Sequence, residues 1–592
     1  MPPRIRNISP LQVLYQAFPD AVRFVSGQLV RVTNVISARG EREDRLSEAV
    51  RRSLARRVYA ELRRQHRHDL DVHARRAAST TQATVPQPAQ APAAPAILLP
   101  GGFGAPAIGA GAGADPTVRA PAAPGMPSER DIALVEVDQD ATVRTRIYPR
   151  SVHCTECGHF QLLDPANVPD TLRCPCCRAA TLRIEPIVFV CGRCANRREL
   201  VPPLERHGQY RRSGDPERAL GVATRCPDCQ RGHVHLEKHG TNQVASWEWR
   251  CTAACGYREV VQERCMRCLR PGTAQAGASA IFMNAMPASA PNALQALSHH
   301  EMFVGNVPVD LPLLRQAAEQ SAAAGWADAF VLDVDAGAGI LSDEDIESLA
   351  DSCIASAYLV RDVWVVTASF GYKAGPTAAH PQSPVAPDEK LATIFPDPEG
   401  LTRFRAFAHT SQGAAVVIQL DTAAVADRLA SLDGGHGDLA TRVAADAQAM
   451  QRSTVRQLLA TTGNGLLAYR SLHAVEHALL MAAMRQLGTD TLGSRLFPAE
   501  GAVVLFEKSR IGRGGVIQLV NRGPGLVHLV RAARDLMAGC AQGCAEGCPA
   551  CVYLRDQHCA HPLEDLGTEW LPANALVSRA GAASILSPDM PH

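Results

Sequence analysis

The chain has 592 residues, enough for three or four domains, and its 46% apolar content allows a sizeable core. Sixty lysines and arginines against 59 acidic residues leave a formal net charge of +1, which excludes a globally basic nucleic-acid binder and confines any such surface to a local patch. No stretch reaches the roughly 18 apolar residues of a membrane helix, and the first residues lack the apolar core of a signal peptide, so a cytoplasmic protein with no membrane contact is expected.

In chain order, residues 1–76 come first as a helical segment. Within it, EREDRLSEAVRRSLARRVYAELRRQH (41–66) predicts a helix, because Leu46, Val50, Leu54, Val58 and Leu62 recur every four residues with charge between them. That pattern suits a helix docked by its apolar stripe, with a solvated opposite face. Only four lysines occur, so nearly all positive charge is arginine, the residue suited to bidentate phosphate contact. Arg51, Arg52, Arg56 and Arg57 are therefore candidate nucleic-acid contacts, against the plainer reading of surface solvation. Residues 77–128 are almost all Ala, Pro, Gly, Thr and Gln and carry too few large apolar groups to fold; they read as a flexible linker.

Residues 129–270 hold the first of two cysteine clusters. In a chain without a secretory signature, CxxC pairs read as metal thiolates rather than disulfides. Cys154 and Cys157 form a knuckle closed by Gly158, and Cys174 and Cys177 supply its partner pair sixteen residues on, the spacing of a zinc ribbon; Cys176 is spare. Four further pairs follow: Cys191/Cys194, Cys226/Cys229, Cys251/Cys255 and Cys265/Cys268. They make two four-thiolate sites either in sequential order or nested, with Cys226, Cys229, Cys251 and Cys255 inside and Cys191, Cys194, Cys265 and Cys268 outside. Nesting is favoured, because VASWEWRC is an alternating strand feeding straight into the second inner knuckle.

Residues 271–452 read as a mixed α/β region. DVWVVTASF (362–370) and AAVVIQL (414–420) have strand composition, while SDEDIESLADSCIASA (342–357) and AAVADRLASL (423–432) have helical periodicity. Ser342 and Asp345 form a candidate N-cap arrangement. Cys353, among small apolar residues, reads as a core thiol rather than a nucleophile.

The last region, 453–592, begins with a long helical pattern (453–486), then a strand (501–509), a helix near 525–538 and the second cysteine cluster. Cys544, Cys548, Cys551 and Cys559 suit one closed zinc site, with Cys540 an extra one turn earlier. In total the thiolates provide for about four structural zinc ions. His473, Glu476 and His477 match the HxxEH pattern of inverted zincins, with both imidazoles on one helix face, but a third ligand from elsewhere is needed and none is evident. Paired histidines packed on a buried helix are the plainer reading. Arg510 and Arg513, beside a glycine turn, are further candidate phosphate contacts. There is no GxxxxGK[ST] loop and no GxSxG elbow, so neither a P-loop ATPase nor a serine hydrolase is encoded in recognisable form.

CAEGCPACVYLRDQHC resembles the terminal zinc motif of the MrfA-type zinc-binding domain found on certain superfamily 2 DNA helicases, and SLHAVEHALL and GAVVLFEKSRIGRGGVIQLV are similar to that domain in order and spacing. Upstream, EPIVFVCGRCANRRELVP, SWEWRC, RDVWVVTASFGYK and AHTSQGAAVVIQLD resemble DrmB-like proteins of the DISARM anti-phage system, over most of 150–586. The resemblance implies a non-catalytic subunit that meets DNA in complex with a separately encoded helicase. The fold expected is α+β, with zinc ribbons set beside mixed sheets and a C-terminal helical, zinc-binding unit.

Overall fold

The structure, a computed structural model, describes residues 10–36, 47–65, 125–163, 173–178, 182–200, 226–238, 247–265, 284–287, 294–375, 391–397, 403–452, 466–508, 515–521, 525–538 and 577–587, with short gaps inside some of these ranges. The fold is α+β: helices pack on antiparallel sheets, and cysteine clusters sit in small three-stranded sheets.

At its centre is a ten-stranded sheet built on two long strands, Ile354–Ala374 and Phe404–Leu420, which pair antiparallel with each other. Leu294–Val304 flanks the first, Ala502–Glu507 and Leu492–Phe497 extend the second, and Ile132–Glu136 joins it in parallel. Both faces are covered, so the strands are apolar on both sides and sort their side chains by parity. Val416, Ile418, Val503 and Leu505 point into one cluster; Ala415, Val417, Val504 and Phe506 point into the other. The first cluster is roofed by Leu467–Leu487, Gly525–Ala538 and Arg579–Leu586, the second by Leu311–Ala323. A bulge between Val360 and Val363, with Asp362 at φ 57°, bends the long strand. Beyond it, the same sheet packs against the N-terminal elements.

Residues 47–63 are helical, and Val50, Leu54 and Val58 are fully buried against Ile132, Leu134, Phe303 and Val366, as a docking stripe requires; Leu46 lies outside the described residues. The solvated face is narrower than the pattern suggests, for Arg57 and Glu61 are each only 3% exposed. Arg57 is thus corrected from a phosphate contact to a buried group. Arg56 is exposed, Arg51 is partly buried, and Arg52 is exposed and paired with Glu48 and Glu129.

Three elements differ from expectation. The helix expected over 342–357 stops at Leu349, and Ile354 already pairs with Leu420. Ile354, Tyr358, Leu359 and Val360 gain more from the sheet than from another helical turn, so long-range pairing overrides the local pattern. Its start is as read: the Ser342 side chain accepts the Asp345 N–H. The long C-terminal helix begins at Leu467, behind Leu466 at φ 62°, and residues 453–465 lie outside the described residues. Finally, the central sheet runs across the expected boundaries at 270/271 and 452/453, since Ile132–Glu136, Phe404–Leu420 and Ala502–Glu507 all belong to it. The 77–128 stretch is outside the described residues up to 124.

Candidate metal centres

The cysteine lobes are built from strands of three to five residues in three-stranded sheets, too short to be stable alone. What gathers them is sulfur. Cys154 ends the Ser151–Cys154 strand; a turn brings Cys157 back, and Gly158 at φ 67° lets its N–H reach the Cys154 carbonyl. Cys154 Sγ lies 3.7 Å from Cys177 Sγ, and Cys157 Sγ lies 3.5 Å from Cys174 Sγ. The second set joins two knuckles carried by the Val234–Lys238/Trp247–Cys251 hairpin, with Cys226 Sγ 3.5 Å from Cys255 Sγ and Cys229 Sγ 3.6 Å from Cys251 Sγ. The third brings Cys191 and Cys194, in the turn after Ile187–Val190, to Cys265, with Cys194 Sγ 3.3 Å from Cys265 Sγ. The sulfurs therefore group in the nested order; Cys176 and Cys268 lie outside the described residues.

A tetrahedral zinc with Zn–S near 2.3 Å sets its sulfurs about 3.8 Å apart. The separations above fall just inside that edge, and the twelve described cysteines are free of disulfides. Each of the three sets can hold a metal ion, with all ligand atoms within 4.8 Å of one another. Two of the donors are shifted in opposite directions. Backbone N–H groups of Gly232 and Arg231 pull the Cys229 thiol down to about 6, whereas burial pushes the Cys157 thiol up to about 12. Four thiolates cannot share so small a volume without a cation to offset their charge. In the two four-cysteine sets such an ion acts as a cross-link, because four sulfurs leave no open position for substrate.

Packing between the sets is close. Gly232 has room for no side chain, since a Cβ there would lie 2.6 Å from Cys251 Sγ and 2.7 Å from the Ala253 nitrogen. Phe160, from the first lobe, meets Trp249 of the second edge-on at 5.0 Å, and His159 bridges to His235. Trp249 is fully buried in a cluster containing Cys191, Cys194 and Cys265 of the third set and Cys226 and Cys251 of the second. The second and third sets thus share one core, on which Phe160 of the first lobe packs, while the first set lies in its own small cluster with Val152, Leu163 and Leu182.

The HxxEH residues lie where the periodicity puts them. His473, Glu476 and His477 are 2%, 0% and 0% exposed, their ligand atoms lie within 4.8 Å of one another, and the two rings are 4.3 Å apart. All three come from the single helix Leu467–Leu487, and among the described residues no other His, Cys, Asp or Glu joins the group. Cys353 is 2% exposed within the main core, and burial pushes its thiol up to about 11, consistent with a packing role. Cys540, Cys544, Cys548, Cys551, Cys559, Arg510 and Arg513 lie outside the described residues. Among the described residues no helix is long and apolar enough to cross a membrane.

A family model described as a domain of unknown function (DUF8724) matches residues 115–289, the stretch that carries all three thiolate sets. No curated protein matches the chain.

Proposed function

We propose that this protein is a zinc-stapled accessory subunit that works on nucleic acid beside a separately encoded superfamily 2 helicase, in the manner of DrmB-like proteins in anti-phage defence. One observation carries the reading: three cysteine sets able to hold metal, two of them packed in one core, lie beside a large central sheet, an arrangement made for shape and docking rather than for turnover. The metal is zinc, the ion whose tetrahedral preference suits all-sulfur sets. A fourth ion belongs to Cys544, Cys548, Cys551 and Cys559 by spacing. The motor and the ATP hydrolysis reside in the partner, and the resemblances in the sequence supply the class of that partner.

The test is co-expression with the helicase encoded beside it. A stable complex is expected, with ATP hydrolysis only when the helicase is present and about four zinc ions per chain. Hydrolysis by the purified chain alone, or no association with that helicase, removes the proposal. A metallohydrolase on His473, Glu476 and His477 is disfavoured by the burial of all three side chains, because a hydrolytic zinc needs a position open to substrate. A stand-alone nucleic-acid binder is disfavoured by the net charge of +1.

A further inference from the structure

The thiolate lobes treat their surface charge differently. In the second lobe the arginines of the hairpin are tied to carboxylates: Arg250 meets Glu237 at 2.6 Å and Glu248 at 3.1 Å, and Arg258 meets Glu248 at 2.9 Å. Asp228 and Arg231, also exposed there, are opposite in sign. In the first lobe Arg173, Arg178 and Arg183 are all exposed, and among the described residues none of them has an ion pair or a side-chain hydrogen bond. Of the lobe's described carboxylates, Glu185 is buried 3.2 Å from His153, and Glu156 is exposed. The described part of this lobe therefore shows solvent three positive charges and one negative.

The three arginines are held close to one another by the fold. Arg173 and Arg178 enter and leave the turn that carries Cys174 and Cys177, which the Arg178 N–H closes on the Cys174 carbonyl at 3.0 Å. Arg183 lies on the edge strand Leu182–Ile184, next to Leu182, which stands opposite Cys154. Cys154 Sγ is in turn 3.7 Å from Cys177 Sγ. Strands of three and four residues, at about 3.3 Å per residue and about 4.8 Å apart, make the lobe roughly 10–13 Å across. Arg178 also stands where a side chain is unfavourable. Its φ of 56° is the left-handed conformation that ends each knuckle, and Gly158 and Gly256 hold the same place in theirs at 67° and 89°. A long side chain kept in that conformation and turned to solvent contributes little to packing.

We propose that the first thiolate lobe is a contact surface for the backbone of DNA, with Arg173, Arg178 and Arg183 as its phosphate contacts. Guanidinium forks match phosphate oxygens. A duplex strand offers a charge about every 3.4 Å along its axis, so a face of this width meets about three. Such contacts position a protein on a duplex without reading its bases. A local patch is also what a chain of net charge +1 requires in order to meet DNA. This surface rests on the nucleic-acid half of the proposed function and not on the helicase.

The full-length, zinc-loaded protein is titrated with a short labelled DNA duplex at a series of salt concentrations. Wild type binds at low salt and loses affinity as salt rises. Arg173→Gln, Arg178→Gly and Arg183→Gln together lower the slope of log affinity against log salt by about 3, roughly 0.9 per phosphate contact. Arg178→Gly alone lowers it by about 1, and equally for duplexes of unrelated sequence. Arg258→Gln, which removes the same charge from a paired position in the second lobe, leaves the slope unchanged. Arg178→Gly melts no lower than wild type, because it relieves a left-handed residue, so its loss of binding is not a loss of fold. The competing role for these arginines is to offset the negative charge of zinc and four thiolates; zinc loss from the triple variant by elemental analysis gives them that role and overturns the proposal. A wild type that does not bind duplex at low salt, or a triple variant with the wild-type slope, overturns it as well. A triple variant that keeps DNA binding and loses the helicase assigns the face to a protein, with the same consequence. Failure of wild type to associate with the helicase removes only the accessory-subunit reading and leaves the arginine result standing.

Discussion

The thiolate lobes and the central sheet solve the same problem by opposite means. The sheet has strands of 21 and 17 residues, apolar on both sides, with helices over both faces. Its cohesion comes from area: residues such as Val416, Ile418, Val503 and Leu505 are fully buried and interlock across strands. The lobes have strands of three to five residues and two small clusters, one around Trp249 and one around Cys154 and Cys174, in which cysteines replace much of the aliphatic packing. Area alone holds such small sheets weakly, and the cysteine sets can hold metal ions that would close the gap. With zinc in place as proposed, one chain contains a region whose folding depends on an ion beside a sheet whose folding rests on buried area.

Removing the metal should separate them most sharply. A structural zinc contributes on the order of 10–16 kcal/mol to folding of its site. A strong chelator should expose Trp249, seen as a red shift and loss of fluorescence intensity, and should erase hydrogen-exchange protection through 151–265. Strands Ile354–Ala374 and Phe404–Leu420 should keep theirs. Lobes that stay protected after complete metal loss would show that the sulfurs merely pack.

A smaller break is available at one glycine. Gly232→Ala places a methyl on Cys251 Sγ and on the Ala253 nitrogen, and neither can give way without moving a ligand. The expected outcome is a protein with one zinc fewer by elemental analysis, the first and third sets still loaded. Retention of full stoichiometry would mean that the second knuckle tolerates a displaced sulfur. On the sheet side, Leu505→Ala removes a fully buried side chain from the main core. It should cost about 2–5 kcal/mol in denaturant unfolding with no change in metal content. Zinc loss in this variant would show that the two regions unfold together.

How much of this could be read beforehand follows the same division. Metal ligands announce themselves locally, because two thiolates must stand on one tight turn; Cys226/Cys229 and Cys251/Cys255 were visible as pairs, and the alternation in VASWEWRC favoured their joining. Strand composition marked 362–370 and 414–420, and their alternation fits the parity with which Val416 and Val417 enter opposite cores. What sequence hid was non-local. Residues 350–357 have helical spacing, yet Ile354 is claimed by Leu420, 66 residues away in the chain. Arg57 looks like any arginine of a charged helix until Val50, Leu54 and Val58 fix the rotation that buries it.

The mildest test concerns the seam where the helical layer meets itself. Asp446, on the helix Leu439–Arg452, accepts the Tyr469 N–H at 2.9 Å and so caps the start of Leu467–Leu487, which has no side-chain cap of its own. Burial raises its carboxyl from 3.8 to about 6, outweighing the opposing pull of the amides and of Arg442. The sign follows from linkage: a carboxyl with a raised folded pKa favours folding when protonated, so its contribution is full below about 4 and is lost as pH rises through about 6. Asp446→Asn keeps an oxygen for the Tyr469 amide and carries no charge at any pH. The variant should therefore be more stable than wild type at pH 7, by about 1–3 kcal/mol on the scale of the shift, and the difference should vanish near pH 4. Metal content should be identical in the two proteins, because Asp446 touches only the helical layer. A difference that grew as pH fell would mean that the carboxylate, and not the acid, is the form the fold prefers, and the cap would then be an ionic one.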